Sequence, residues 1–327
     1  FEAPAIERLG IHAYNWWNEA CHGVARAGVA TIFPQSIGMA ATFDPELISQ
    51  VAEAIALEGR AKYNRSAAYE DYDRFKGLTY WAPNINIFRD PRWGRTEEGY
   101  GEDPYLTGKM ASEYIRGMQD EHNYDGTPLQ PGERGDRVRT GAVLKHFYAN
   151  NQEWNRNTVN ADISDKVKFD YELEPYRYCA QEGHAEGVMT SYNEINHLPA
   201  MLNHEVQDIL KDRWGIRYAM TDGGDFQQTV NFHHYFKTHA ETLAEGVKAG
   251  VDAMLDHPGI VAKAAREAYE HGLITEAEMD KSILCTVEEL IRQGVFDPMD
   301  PYAELDMADV GTDESKRISL QMSKEYN

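Results

Sequence analysis

The chain has 327 residues, 42% apolar and 11% aromatic, with 54 acidic side chains against 32 basic ones and a net charge of -22. A core for one large or two ordinary domains is within reach, while the acidic excess argues against a nucleic-acid partner and an anionic membrane surface. Cys21, Cys179 and Cys285 lie far apart without CxxC or Cys/His spacing, so neither a disulfide framework nor a zinc ribbon is expected, and no apolar run of membrane-spanning length occurs.

Helical and strand-like stretches alternate along the chain. The first helix is expected in "DPELISQVAEAIALEGRAKYN", with Asp44 as cap, Pro45 in the first turn and Leu47, Ile48, Val51 and Ile55 on one face. "GLTYWAPNINIF" reads as a short strand interrupted by Pro83, and "DPYLTGKMASEYIRGMQ" repeats the Asp-Pro helix start with Leu106, Met110, Tyr114 and Met118 in a stripe. "DEHNYDGTPLQPGERGDR" reads as a mobile polar loop. The strand "AVLKHF" follows, then a long helix from about Asp165 to Glu182, the strand "GVMTSYN" and a helix around "NHEVQDILKDRWG". The strand "YAMTD" leads to the helix "THAETLAEGVKAG", the strand "GVDAML" and the helix "PGIVAKAAREAYEHG". A last helix carries a Thr275/Glu278 capping box, with Met279, Ile283, Val287 and Leu290 expected to pack and Gly294 as its stop.

Such alternation predicts a parallel α/β sheet with right-handed crossovers. A closed (β/α)8 TIM-like barrel over residues 1–297 is the expected form, because the polar and aromatic residues gather just after the strands. An open doubly wound sheet is the alternative, but no GxGxxG turn follows a strand. Residues 298–327 read as a linker. The opening "FEAPAIERLG" lacks Met and a signal-peptide pattern, and "SLQMSKEYN" ends inside a helix, so both ends are expected to be cuts in a longer protein.

In "YAMTDGGDF" a strand runs into Asp222 and breaks at Gly223 and Gly224. That is either an ordinary turn or a carboxylate presented at a barrel mouth. The other strand ends supply "NIFRDPRWGRTEEGYGEDP", "KHFYANNQEWNR" and "SYNEINHLP", and "YNWWNEACHG" stands near the N-terminus. Carboxylates, a Lys-His pair, arginines and aromatic rings are what a sugar requires: rings against its C–H faces and charged groups on its hydroxyls.

The motifs "FRDPRWGRTEEGYGEDP", "LKHF", "VMTSYNEINHLPA" and "MTDGGD", in this order and spacing, resemble the N-terminal barrel of glycoside hydrolase family 3. "YNWWNEACHGVARAG" and "WAPNINIFRDPRWGR" are most similar to its β-xylosidase and β-glucosidase branch. The resemblance runs from about Glu19 to Asp297. It implies Asp222 as catalytic nucleophile and Lys145, His146, Arg95 and Glu19 as ligands of the sugar hydroxyls. It implies Trp81 as an aromatic site position, Tyr192 and Met189 as residues flanking the nucleophile, and Arg156 as a further arginine. The family usually has Trp or Cys after the aspartate; Gly223 stands there in this chain, which leaves the pocket wall beside the nucleophile unaccounted for.

The activity so implied is a retaining exo-β-glycosidase removing terminal β-glucosyl or β-xylosyl residues, with no cofactor and no metal. Retention needs an ionised nucleophile, kept so by cations that lower its pKa, and a second carboxyl about 5 to 5.5 Å away. In two-domain members that acid/base comes from a C-terminal α/β sandwich domain, which is therefore an expected partner; a homo-oligomer is left open. Within the chain Glu98, Glu153 and Glu194 are the candidates, while Glu97-Glu98 and Glu102-Asp103 are expected to hold the "WGR" loop and cap the next helix. The single-domain β-N-acetylhexosaminidase branch is an alternative on length, but its KHFPGHGDT loop is replaced by "KHFYANNQEWNR". A Schiff-base lyase using Lys145, a non-catalytic sugar-binding barrel, and a metal site at His233, His234 and His239 are the other readings. Trp16, Trp17, Trp93 and Trp154 could stack on sugar, though at least two are expected in the core.

Overall fold

Parallel hydrogen bonding organises the chain. In the computed structural model, which describes residues 1–130, 132–297 and 300–326, strands Thr79–Tyr80, Gly141–Phe147, Gly187–Thr190 and Tyr218–Met220 lie side by side in that order, all parallel. Parallel bridges extend this wall at both edges, Asn18 to Tyr80 on one side and Met220 to Ala253 on the other. A short antiparallel pair, Glu2–Ala3 against Tyr14–Asn15, lies beyond the first edge, and Phe1 N–H reaches back to the Asp256 carbonyl at 3.2 Å. The N-terminal segment thus links the first and last parallel segments of the wall. "GVDAML" contributes a single bridge rather than a regular strand.

Local chemistry explains the helices. Asp44 accepts the Leu47 N–H at 2.9 Å and starts Pro45–Ala67; Asp103 accepts the Leu106 N–H and starts Pro104–Gln119. Thr238 and Thr275 close capping boxes with Glu241 and Glu278. The stretch expected as one helix from Asp165 is interrupted: Lys168–Glu172 is a π-helical segment, and the α-helix resumes at Glu174–Gln181. Pro175, which has no N–H to give, sits in the first turn of the resumed helix. Val206–Lys211 is also π-helical.

Leu47, Ile48, Val51 and Ile55 are fully buried, as are Tyr114 and Met118 on the helix opposite; each such large apolar side chain contributes roughly 1.5–3 kcal/mol. The two helices meet through Gly117, where an added Cβ would fall 2.9 Å from Ala52 Cβ and 3.0 Å from Glu53 N, and would collide with the Ser49 carbonyl. Ile283 does not pack as expected: it is 57% exposed, beside exposed Leu284 on Glu276–Arg292. Asp300–Tyr326, within the stretch read as linker, lies on the helix Pro45–Ala67. Asn64 donates to the Tyr302 and Leu305 carbonyls, Glu58 accepts the Gly311 N–H, and Met322 is fully buried. Residues 298, 299 and 327 of that stretch, and Pro131 of the polar loop, lie outside the described residues.

Gly117→Ala tests the helix contact. Alanine alone would favour the helix by about 1 kcal/mol, but overpacking costs typically 1–3 kcal/mol. A net fall in the urea midpoint is expected, and a rise would mean that the helices are not in backbone contact.

Candidate active site

Each parallel segment delivers a side chain at its C-terminal end. Glu19 follows Asn18, Trp81 follows Thr79–Tyr80, Lys145 and His146 end Gly141–Phe147, Tyr192 follows Gly187–Thr190, and Asp222 follows Tyr218–Met220. These residues, with Arg95 and Arg156, line one cavity of about 520 Å³, within the usual range of small-molecule sites. Lys145 and His146 are adjacent, and a regular pleat would point them to opposite faces. The strand register shifts between Leu144 and Phe147, and both side chains line the cavity.

Asp222 is 8% exposed. Its Oδ1 accepts the N–H of Gly223 at 2.6 Å. Gly224 follows at φ +84, a conformation that favours glycine, and opens the helix Asp225–Asn231. The Tyr192 hydroxyl donates to the Gly223 carbonyl at 2.8 Å, and burial together with the Asp222 and Asp225 charges keeps that phenol protonated.

The cations nearest Asp222 are held by other acids. Arg95 forms a two-pronged pair with Glu98 at 2.9 and 2.8 Å. Lys145 Nζ lies 3.4 Å from Glu19 and 3.8 Å from Glu98, and Glu19 also accepts the Trp17 indole N–H at 2.9 Å. Burial acts to lower the Lys145 pKa, yet Cys21, Glu19 and Glu98 together carry it above its ordinary value. Burial acts to raise Glu98, but Arg95 and Lys145 hold it at about 2.

His146 Nε2 stands 3.6 Å from Asp222 Oδ2, and the contact is not an ion pair. Burial, then Arg95, Lys145 and Arg156, depress the His146 pKa well below its ordinary value, so the ring is neutral. Its tautomer follows from Asn86. The His146 backbone N–H points at Asn86 Oδ1 (2.9 Å), which fixes the amide orientation; His146 Nδ1, 3.1 Å from the same oxygen, must then be the protonated nitrogen. Nε2 is left as an acceptor, with Arg95 Nη1 at 3.3 Å. Asn86 was not picked out in the sequence, although it stands in "APNINIF" directly after a strand.

Asp222 departs from expectation. Burial raises its pKa, and the opposing Gly223 N–H, Arg95, Lys145 and Tyr192 do not fully offset it. The neighbouring cations therefore limit the cost of ionising Asp222 rather than bringing its pKa below normal.

The remaining expected residues divide. Trp17 and Trp81 stack at 5.5 Å and line the cavity. Met189 is fully buried among Trp81, Tyr218 and Met220 and is not part of the lining. Trp16 packs on Tyr14 and Tyr218, Trp93 is buried with its N–H on Glu153, and Trp154 is 79% exposed outside the cavity. Arg156 pairs with Glu153 at 3.0 Å and lies over the Tyr192 ring. Glu194 faces buried His233 at 3.8 Å, outside the lining. Among the described residues no group of three or more His, Cys, Asp or Glu could hold a metal ion, and no helix is long and apolar enough to cross a membrane. Lys145, charged and placed between two carboxylates, is not a free amine for imine chemistry.

The sequence matches the model of the glycosyl hydrolase family 3 N-terminal domain over residues 6–285. The chain belongs to glycosyl hydrolase family 3. A probable exo-1,4-beta-xylosidase (xlnD) of Neosartorya fischeri is 35% identical over 99% of this chain and 42% of its own length. Beta-D-xylosidase 1 of Arabidopsis thaliana is 35% identical over 98% and 41% respectively. Among solved structures, a family 3 exo-beta-xylosidase (XlnD) in complex with a xylobiose aziridine activity-based probe superimposes with a TM-score of 0.86 and 28% identity, covering 98% of this chain and 41% of that one. A β-glucosidase involved in saponin metabolism from intestinal bacteria gives 0.79 and 27%, covering 94% and 38%. The chain thus spans about 42% of the length of the first of these family members.

The sign of the Asp222 shift yields a prediction. The unfolded chain ionises this group at its ordinary 3.8 and the fold ionises it at a higher pH. The charged form therefore costs stability above the folded pKa, and the cost disappears below the unfolded one. Asp222→Asn is expected to raise the thermal midpoint at pH 7, with the gain closing as the pH approaches 3.8. Melts at both pH values check it; a variant less stable at pH 7 would show that the cations outweigh burial.

Proposed function

We propose that this family 3 chain is the nucleophile-bearing part of a retaining exo-β-glycosidase that removes a terminal β-xylosyl or β-glucosyl residue. The observation that carries the reading is the buried Asp222 carboxylate, standing in a cavity lined by Lys145, His146, Arg95, Glu19 and stacked Trp17 and Trp81. Asp222 attacks the anomeric carbon as the C–O bond to the aglycone breaks and the departing oxygen takes a proton from the general acid; water then hydrolyses the glycosyl-enzyme, releasing the sugar and freeing the Asp222 carboxylate. Glu19, with its two oxygens fixed by Trp17 and Lys145, and Arg95 with Lys145 present acceptors and donors to the hydroxyls. Trp81 offers an apolar face. Neutral His146 can accept a hydrogen bond from a sugar hydroxyl at Nε2 in place of the one from Arg95 Nη1. The relatives named as xylosidases favour xylose as the sugar removed.

The general acid is proposed to come from outside this chain, from the additional domains that its longer relatives leave room for. Glu98, locked by Arg95 and Lys145, has no proton to give near neutral pH. Glu153 is tied to Trp93 and Arg156, and Glu194 lies outside the cavity.

A fluorosugar that traps the glycosyl-enzyme, followed by peptide mapping, tests the nucleophile. Label on Asp222 is expected, and label elsewhere overturns the site. Binding of xylose without label or turnover would favour the sugar-binding reading. This chain alone is expected to turn over dinitrophenyl β-xyloside, whose leaving group needs no proton, while alkyl xylosides lag by the 10²–10⁴-fold that general acid catalysis supplies. Equal rates on both would place the acid within the chain.

A further inference from the structure

Gly223 and Gly224 are glycines for different reasons. Gly224 needs its positive φ, whereas Gly223 has no such conformation. What lies against residue 223 is a ring: a Cβ there would lie 2.8 Å from Phe1 Cε1 and 2.9 Å from Phe1 Cζ, well inside the 3.5–4.0 Å at which carbons normally meet, so a side chain at 223 and the ring in this position exclude each other. The Phe1 backbone is anchored from both sides. Its carbonyl accepts the Trp16 N–H at 3.0 Å, and its N–H donates to the Asp256 carbonyl at 3.2 Å. The ring meets Trp17 edge-to-face at 5.1 Å and Trp81 at 6.0 Å, a favoured arrangement of aromatic quadrupoles. Phe1, Trp17, Trp81 and Gly223 all border the cavity that holds Asp222.

We infer that Phe1 is a specificity-determining wall of the sugar site, reaching over Gly223 to fill the space that a side chain at 223 would otherwise occupy. The inference rests on the glycosidase reading. Phe1 presents an apolar surface next to the nucleophile, and its bulk admits a pentopyranose while crowding a sugar that carries an exocyclic hydroxymethyl group. The wall and the nucleophile's neighbour form one packing unit, so only one of the two positions can carry bulk.

The test measures kcat/KM on nitrophenyl β-xyloside and β-glucoside in the full-length protein for Phe1→Ala, Phe1→Leu, Gly223→Cys and the double variant Phe1→Ala/Gly223→Cys. Opening the wall is expected to raise the glucoside-to-xyloside ratio by about 10-fold in Phe1→Ala and less in Phe1→Leu, in the range that one small group controls in a pocket. Gly223→Cys alone is expected to lower kcat/KM on both substrates, and the double variant to recover xyloside activity. Phe1→Leu keeps most of the apolar packing and serves should the alanine variant fail to fold. An unchanged ratio in folded variants that still take fluorosugar label on Asp222 overturns the wall alone. Absence of both turnover and label in the unmodified protein overturns the glycosidase reading, and the wall with it.

Discussion

One buried carboxylate, with no direct ionic partner among the described residues, sets the terms for the rest of the site. Asp222 sits almost out of water, and ionising it there is costly. The obvious remedy, an arginine or lysine bonded to it, would occupy the lone pairs that the proposed role as nucleophile needs. The structure separates the two demands. Arg95 is committed to Glu98, and Lys145 lies between Glu19 and Glu98, so their charges act on Asp222 across the cavity without sitting on its oxygens. The direct bond to Asp222 comes from the Gly223 N–H, which orients one oxygen.

The same cations account for the further acids, Glu19 and Glu98, that stand around Asp222. Glu19 and Glu98 hold the cations in place and keep Lys145 protonated against burial. His146 would add a further positive charge to that cluster, but the same cations and its burial keep it neutral. Asn86 then fixes which nitrogen carries the proton, so the Nε2 lone pair faces Arg95 Nη1 at the cavity wall. The tautomer is set in the layer behind the cavity-lining residues, by an uncharged side chain.

Features that depend on neighbouring residues were legible in the sequence. The caps at Asp44, Asp103 and Thr275 are local hydrogen bonds written within four residues, and each forms; the equivalent box of Thr238 and Glu241 was not picked out. The grouping of the motifs at one end was legible because parallel strands place their C-terminal ends together, whereas the individual site residues came from the resemblance to glycoside hydrolase family 3. What stayed hidden was set by tertiary contact. Met189 follows the strand pleat into the core beside Tyr218 and Met220. Ile283 satisfies the helical period yet faces outward, because periodicity does not say which face a neighbour covers. "GVDAML" has a strand's composition but finds one parallel bridge at the wall's edge.

The Gly223 position shows why site walls are harder to read than site chemistry. The proposed nucleophile calls for one residue type, a carboxylate, at the end of a strand. A wall needs only volume, and volume can be supplied from any element that reaches the place. Here Phe1, anchored between the Trp16 and Asp256 backbones, supplies it, and residue 223 gives it up. Sequence comparison at the position after Asp222 would register a lost side chain, although the space it would fill holds a ring. Replacing either residue alone removes the complementarity, so the two positions are constrained as a pair.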